Sequence, residues 1–290
     1  MIPLSAWKAR GRTVTTPAGA VFVVDTGAEH EGTPVLVLHG FPTASWDFAE
    51  VVDLLARRRR VVAFDFLGYG FSDKPARHAY SLFEQADVAL TVARACGIAR
   101  AHLLAHDMGT SVATELCARR AWSTLPIELA SLVLMNGSVH LELAHLTIGQ
   151  RLLRSRAGRL FAAVSSRRTF GPQIARLCAR RPTDAELDAM WELVARDDGA
   201  ARLPQIISYL DERERFRHRW IGALERLDVP TLVAWGERDP VAVLAIARAL
   251  AGEIPGARLR TWPELGHWPQ LEDPSRVART VESFWDELPF

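Results

Sequence analysis

The sequence contains few lysines, cysteines and tyrosines, and no long hydrophobic run. Lys8 and Lys74 are the only lysines among 290 residues. The three cysteines are widely spaced, which excludes a disulfide framework and a Cys/His metal site. The longest apolar runs have the length of strands, which excludes a membrane span, and the N-terminus lacks the apolar core of a signal peptide. We therefore expect a cytoplasmic protein with no membrane partner.

The charges are balanced, with 35 basic and 34 acidic residues and a formal net charge of +1. A nucleic-acid-binding protein normally carries a basic excess, so no nucleic-acid partner is expected. Nearly half of the residues are hydrophobic, which is enough for a large buried core. The length suits one α/β domain with an insertion, and we expect a monomer or a homodimer.

Short apolar runs alternate with helix-length segments along most of the chain. Runs of four to six apolar residues without alternation are typical of strands that are covered on both faces. Strand following helix following strand predicts a mainly parallel sheet. The predicted strands are Thr13–Thr16, paired with Val21–Asp25, then Pro34–Leu38, Val61–Phe64, Ala101–Ala105, Ser131–Met135, Thr231–Trp235 and Arg258–Thr261. The predicted helices are Trp46–Arg58, Ser81–Cys96, Met108–Arg120, Val241–Ala251 and Ser275–Glu287.

The alternation stops between residues 139 and 223. This stretch shows amphipathic helical patterns at Leu146–Val164, Asp184–Ala195 and Pro204–Leu224, and no strand-like run. We therefore predict a core domain of residues 1–138 and 224–290 and a helical cap of residues 139–223. Ligands of open α/β sheets bind beyond the carboxyl ends of the strands, so a cap there would enclose the site.

Asp107 is the predicted catalytic nucleophile. It lies between a predicted strand and a predicted helix, with Ala105 and Gly109 at the small-residue positions of a nucleophile elbow. A carboxylate is already anionic at neutral pH, and it can attack carbon without a base. Ser111 is a rival nucleophile, but it falls inside the helix.

Attack by a carboxylate leaves an ester, and its hydrolysis needs a base, usually a histidine oriented by a second acid. His267 and Asp239 each follow a predicted strand, in the chain order nucleophile, acid, histidine. Glu237 is the alternative acid.

The loop that follows Pro34–Leu38 predicts an oxyanion hole made of the backbone N–H groups of Phe41 and Met108. We expect His39 and His106 to hold backbone at the strand ends. The candidate substrate-binding residues are His39, His145, Trp191 and Trp220.

Several motifs resemble the epoxide hydrolase and haloalkane dehalogenase branch of the α/β-hydrolases. They are HGFPTASW, FDFLGYGFSDKP, HDMG, WGERDPV and GHWPQLEDP, in that family's order. The chain resembles the mesoderm-specific transcript group in particular, where the similarity extends into the cap through YSLFEQA, FGP, ELDAMW and FRHRWIGAL. The resemblance implies an α/β-hydrolase fold: a mostly parallel eight-stranded sheet, flanked by helices, with a helical cap insertion.

The members of the branch that the chain resembles differ in how they stabilise the leaving atom. Dehalogenases of this family hold halide with a Trp after the nucleophile and a second Trp or Asn, but here Met108 and Phe41 occupy two of those positions. Epoxide hydrolases protonate the epoxide oxygen, typically with two cap tyrosines, and Tyr209 resembles one of them. The second has no counterpart in 139–169, and His140 or His145 is a candidate replacement.

These features predict an epoxide hydrolase that converts small apolar epoxides and water to diols without cofactor or metal. Asp107, Tyr209, His267 and Asp239 would carry the reaction. The alternatives are a haloalkane dehalogenase, another α/β-hydrolase, and a non-catalytic binding or signalling protein on the same fold.

Overall fold

Eight strands form one sheet in the computed structural model, which describes residues 1–30 and 32–288. The spatial order is β1-β2-β4-β3-β5-β6-β7-β8. β2 pairs antiparallel with both β1 and β4, and the remaining neighbours pair parallel. The strands are β1 Gly11–Thr16, β2 Gly19–Asp25, β3 Val35–Leu38, β4 Val61–Phe64, β5 Arg100–His106, β6 Glu128–Met135, β7 Thr231–Gly236 and β8 Arg258–Trp262. The predicted fold class is confirmed.

The strands β3 and β4 are apolar at every position, because both faces of the sheet are covered there. All residues of β3, β4 and β7 are buried, as the runs without alternation predicted. The predicted pairing of the first two strands is also confirmed, with Val14 opposite Val21.

The helices that cover the sheet are α1 Leu4–Ala9, α2 Ala49–Leu55, α3 Leu82–Ala95, α4 Met108–Ala121, α12 Leu244–Glu253, α13 Pro269–Glu272 and α14 Pro274–Asp286. The helix predicted from Trp46 begins as a 3-10 turn at Ser45–Phe48. The helix predicted from Val241 begins at Leu244 instead. The N–H groups of Val241 and Ala242 are used by the Asp239 carboxylate, which places these residues in a turn.

Only helices connect β6 to β7. They are α5 Ile148–Arg154, α6 Gly158–Ala163, α7 Arg167–Ala175, α8 Asp184–Ala195, α9 Leu203–Ile206, α10 Tyr209–Arg215 and α11 Arg217–Leu224, with 3-10 turns at Leu141–Leu143 and Arg196–Arg202. The pattern over 146–164 predicted continuous helix, but the chain turns between α5 and α6. Gly158 permits this turn, since a Cβ there would lie 2.1 Å from the Leu153 carbonyl oxygen. Periodicity did not reveal α7.

Within residues 1–30 and 32–288, no helix is both long and apolar enough to cross a bilayer. Over the same residues, no three His, Cys, Asp or Glu side chains come together as metal ligands.

A buried carboxylate fastens the end of this helical segment to the sheet domain. Glu115, on α4, accepts hydrogen bonds from Arg219 at 2.8 and 3.0 Å and from the indole N–H of Trp220 at 2.9 Å. Arg119 donates to it as well, at 2.9 Å. Glu115 is only 1% exposed, so these bonds replace its lost hydration. Trp220, a candidate substrate-binding residue, is therefore a packing residue between α11 and α4.

Replacement of Glu115 by Ala should lower the free energy of unfolding by about 3 kcal/mol, because Arg219, Arg119 and Trp220 lose their shared acceptor. Chemical denaturation would measure the change. Glu128→Ala is the matched control, since the Glu128–Arg100 pair is about half exposed and should contribute less than about 1 kcal/mol. Equal losses in the two variants would contradict a special role for Glu115.

Candidate active site

Asp107 lies in a sharp turn between β5 and α4. Its backbone angles are φ 48° and ψ −113°, a region that residues other than glycine rarely adopt. The residue is 3% exposed. Strained backbone of this kind concentrates at functional sites, and it is the geometry that a nucleophile elbow requires.

Two glycines make room for this turn. A Cβ on Gly109 would lie 2.2 Å from the Leu38 carbonyl oxygen. A Cβ on Gly40 would lie 2.6 Å from the Cβ of Asp107. Both contacts are closer than real Cβ atoms allow, so the loop after β3 can approach the elbow only because these positions lack side chains.

The Asp107 carboxylate has a backbone donor on one oxygen and an imidazole near the other. The Phe41 N–H donates to Oδ1 at 2.8 Å, from a loop with a cis Phe41-Pro42 peptide. Met108 is the first residue of α4, so its N–H is one of the amides without an intrahelical acceptor. The two amides predicted for the oxyanion hole therefore lie in the segments that adjoin the carboxylate.

His267 lies between two carboxylates. Its Nδ1 is 2.7 Å from Asp239 Oδ2, and its Nε2 is 3.7 Å from Asp107 Oδ2. Asp239 Oδ1 accepts from the N–H groups of Val241 and Ala242 at 2.8 and 3.0 Å, which fixes its orientation. Of the two acids considered from the sequence, Asp239 contacts the histidine, while the Glu237 backbone pairs with Trp262.

The pKa of His267 reflects this position. Burial alone lowers the pKa, but the charge and hydrogen bond of Asp239, together with the charge of Asp107, outweigh burial and raise it to about 9. His267 is therefore protonated at neutral pH.

Asn136 is a site residue that the sequence analysis missed. Its side-chain N–H₂ donates to Asp239 Oδ2 at 2.9 Å and to the Gly236 carbonyl at 3.1 Å. Its Oδ1 accepts from the Gly236 N–H at 2.9 Å. Asn136 follows β6 with φ 39°, so its place directly after a buried strand was the available signal.

Two tyrosines lie near Asp107. Burial, and then the negative charge of Asp107, raise the pKa of Tyr209 above its ordinary value. The Tyr209 ring is 5.9 Å from that of Phe41. The Tyr69 hydroxyl donates to Met108 Sδ at 2.8 Å, and burial followed by the charges of Tyr209 and Asp107 raises its pKa as well. Tyr69 lies far from the cap in sequence, so a search of the cap for a second tyrosine could not find it.

Arg213 was also missed, and it joins the helical segment to the elbow. Its Nε donates to Ser111 Oγ at 2.6 Å, and its Nη2 donates to the Asp107 carbonyl at 3.2 Å. Its Nη1 donates to Ser138, and its guanidinium lies 4.6 Å from the Tyr209 ring centroid. Arg213 is 1% exposed. Ser111, the rival nucleophile, is thus a buried hydrogen-bond acceptor inside α4.

The sequence analysis also singled out His39, His106 and His145. His39 and His106 are fully buried, and they bond the backbone of Phe66 and Gly40 and of His267, as expected for strand ends. Burial lowers their pKa values to about 3 and about 4. Both ring nitrogens of His39 are therefore bonded to backbone. The prediction that His39 binds substrate is wrong. His145 is exposed and contacts Val241 through its backbone N–H.

A mostly apolar cavity extends from His267 into the helical segment. Trp191 lines it, as predicted, whereas His39, His145 and Trp220 are not among its lining residues. Its floor is formed by Phe41, Pro42, Val241, His267 and Trp268, and its walls by Thr147, Gly149, Gln150, Leu153, Phe161, Ser165, Thr169, Phe170, Gln173, Ile174, Leu177, Trp191 and Leu203.

Comparison with known proteins identifies the family. A family model described as "alpha/beta hydrolase fold" matches residues 33–274. The chain belongs to the α/β-hydrolase fold family. This α/β-hydrolase is 42% identical to "Putative hydrolase LipZ" of Mycobacterium tuberculosis, over 96% of each chain. It is 33% identical to the mesoderm-specific transcript protein of Mus musculus, over 97% of this chain and 87% of the other.

Solved structures agree on the fold. A haloalkane dehalogenase variant from Bradyrhizobium elkanii superposes with a TM-score of 0.78 at 22% identity, and the match covers 94% of this chain and 95% of that one. The family and its relatives identify the protein as a hydrolase. The solved structure, at 22% identity, shows only that the fold is shared.

The raised pKa of His267 makes stability depend on pH. The folded-state pKa of about 9 lies above the ordinary value of 6.5, so proton binding favours the folded state. This contribution is complete below about pH 6.5 and is lost as the pH rises through about 9. Relative to His267→Gln, the wild type should lose on the order of 3 kcal/mol of unfolding free energy across this window. Parallel pH profiles of the two proteins would contradict the assignment.

Proposed function

We propose that this hydrolase opens small apolar epoxides to vicinal diols, with Asp107 as the nucleophile and an alkyl-enzyme ester as the intermediate. The observation that carries the proposal is the carboxylate itself. It occupies the elbow, receives a backbone N–H on Oδ1, and has a histidine–aspartate pair beside Oδ2. A carboxylate in this position can attack carbon directly, and the histidine is in place for the second step.

In the first step, Asp107 Oδ2 attacks a ring carbon, and the carbon–oxygen bond of the epoxide breaks. The epoxide oxygen takes a proton from the Tyr209 hydroxyl. The raised pKa of Tyr209 keeps that hydroxyl protonated at neutral pH, so it is available to donate. The Arg213 guanidinium opposes the rise in pKa, which favours release of the proton as the ring opens.

Tyr69 is the proposed second donor to the epoxide oxygen. Its hydroxyl is occupied only by the Met108 sulfur, which is a weak acceptor and can be exchanged for a better one. It lies close enough to Asp107 and Tyr209 for their charges to affect its pKa. This assignment replaces His140 and His145: His140 is held between Glu142 and Glu253, and His145 is exposed.

In the second step, water attacks the ester carbonyl carbon and His267 takes its proton. Esterification removes the charge of Asp107, one of the groups that raise the His267 pKa. The pKa therefore falls, and His267 returns its proton to the Tyr209 phenolate, which leaves a neutral imidazole as the base. The N–H groups of Phe41 and Met108 stabilise the oxyanion. As the tetrahedral intermediate collapses, His267 passes the proton taken from water to the departing alkoxide, and the diol leaves. Asp107 keeps one oxygen from water, and its remaining proton passes to His267.

The cavity supports a small apolar substrate, because its lining is mainly aliphatic and aromatic. Residues 139–223 act as the cap that shields it from water. Dehalogenation has less support. Met108 and Phe41 present no side-chain N–H to a halide, and the Trp268 indole N–H already donates to Asp47 at 3.0 Å.

Asp107→Ala should abolish diol formation from styrene oxide and from an aliphatic epoxide, because no nucleophile remains. His267→Gln should form the ester and fail to hydrolyse it, so intact mass should increase by one substrate. His145→Gln is the matched control and should turn over normally. Full turnover by Asp107→Ala would overturn the proposal.

A single turnover in water labelled with ¹⁸O provides an independent test. The first diol should be unlabelled, and the label should appear in the peptide that contains Asp107. Label in the first diol would mean that water attacks the epoxide directly. Halide release from 1-bromobutane without diol from either epoxide would favour a dehalogenase instead.

Tyr209→Phe and Tyr69→Phe should each slow ester formation by about 100-fold, because each removes one proton donor from the ring-opening step. Rapid-quench measurement of ester formation isolates this step. The control is Tyr80→Phe, since the Tyr80 hydroxyl donates to the Pro75 carbonyl at 2.6 Å outside the site. If only Tyr209→Phe slowed ester formation, Tyr69 would be a packing residue and not a proton donor.

A further inference from the structure

The outer side of α5 and α6 exposes large aliphatic side chains. Ile148 and Leu152 are 76% and 37% exposed, and Leu160 and Val164 are 74% and 72% exposed. Spacing of four residues places the members of each pair on the same side of a helix. Of the six exposed large hydrophobic residues in the described part of the chain, these four lie on one pair of helices. We call this surface the α5–α6 outer face.

The inner side of the same helices lines the cavity. Gln150, Leu153, Phe161 and Ser165 all face it. The cavity wall here is therefore one helix thick, and it carries apolar side chains on both sides. A helix with an apolar stripe normally buries that stripe, so the outer side lacks the cover that the inner side has.

The sequence around this face is strongly basic. Residues 143–183 contain nine arginines and no Asp or Glu. Because the whole chain carries a formal charge of +1, the remaining residues together carry −8. The near-neutral net charge of the chain therefore conceals a basic segment within an otherwise acidic sequence. The arginines are Arg151, Arg154, Arg156, Arg159, Arg167, Arg168, Arg176, Arg180 and Arg181.

Most of these arginines have no acidic partner. Arg154, Arg167 and Arg180 form salt bridges within the helical segment. Within residues 1–30 and 32–288 the other six form none, and all six are exposed. Three of the six stand beside the aliphatic residues on α5, on α6 or in the turn between them: Arg151, Arg156 and Arg159.

We propose that the α5–α6 outer face docks on an anionic lipid surface. The aliphatic side chains would enter the boundary between headgroups and acyl chains, and the arginines would bind lipid phosphates. The expectation of no membrane partner rested on the absence of a spanning segment, and docking needs none. Docking would also leave only one layer of helix between the cavity and a membrane that can hold apolar substrates. The docking proposal does not depend on which reaction the site performs.

A second copy of the chain fits this face poorly. A two-fold interface brings the same patch against itself, so the unpaired arginines would face one another and repel. An anionic lipid surface instead supplies negative charge and an apolar layer together.

Co-sedimentation with vesicles tests the proposal. Full-length protein should bind phosphatidylcholine vesicles that contain phosphatidylglycerol, and bind pure phosphatidylcholine much less. The variant R156Q/R159Q should bind the anionic vesicles about 30-fold more weakly, the change that corresponds to about 1 kcal/mol per arginine near such a surface. The variant L160S/V164S should also bind more weakly.

Matched controls come from the sheet domain. Trp122→Ser removes an apolar residue that is 69% exposed, and R94Q/R248Q removes two exposed arginines. Both should bind the anionic vesicles like the wild type. All four variants should keep the circular dichroism spectrum of the wild type and turn over a soluble substrate normally, since none of these residues lines the cavity.

Failure to bind anionic vesicles would overturn the proposal, as would equal binding of the cap variants and the wild type. A dimer in light scattering that L160S/V164S splits, without vesicle binding, would assign the face to a second copy. If the wild type bound vesicles but did not turn over epoxides, the proposed reaction would be refuted and the docking proposal would remain.

Discussion

The sharp backbone turn at Asp107 is the constraint on which the rest of the site depends. A residue with a side chain in this conformation costs about 1–3 kcal/mol, which the surroundings must offset. β5 lies between β3 and β6 in the sheet, and Gly40 and Gly109 let the β3 loop close on the turn. Arg213 then holds the Asp107 carbonyl from the other side. The carboxylate is therefore presented by a rigid frame.

One charge connects the two halves of the proposed reaction. The Asp107 carboxylate raises the pKa of Tyr209 and of His267. Before attack, this charge keeps the phenol protonated and the imidazole cationic. Once the carboxylate becomes an ester, both groups release their protons more readily. The same change at the nucleophile thus leaves His267 as the neutral imidazole that the second step needs. Buried, closely spaced groups make this coupling strong, because little water screens them.

The sequence analysis found the site residues that are marked by a local pattern. Asp107, Asp239 and His267 each follow a buried strand, and parallel strands bring such positions to one edge of the sheet. Asn136 also follows a buried strand, whereas Tyr69 and Arg213 depend on contacts between distant segments, which no local pattern encodes. Trp220 was assigned to substrate binding because large aromatic residues suit both a cavity and a packed interface, and only the position of Glu115 distinguishes them. The break between α5 and α6 depends on close packing at Gly158, which periodicity does not report.

The attachments of the helical segment between β6 and β7 to the sheet domain are unevenly distributed. Arg213 and Glu115 fasten α10 and α11 to the elbow helix. The Leu177 carbonyl accepts from the His267 N–H at 2.9 Å, and Glu272 accepts from the Ala179 N–H at 2.9 Å. α5 and α6 pack instead against α9 and the 3-10 turn at Arg196–Arg202. Movement of α10 and α11 would therefore break bonds to the nucleophile turn and its helix, whereas movement of α5 and α6 would leave those bonds intact.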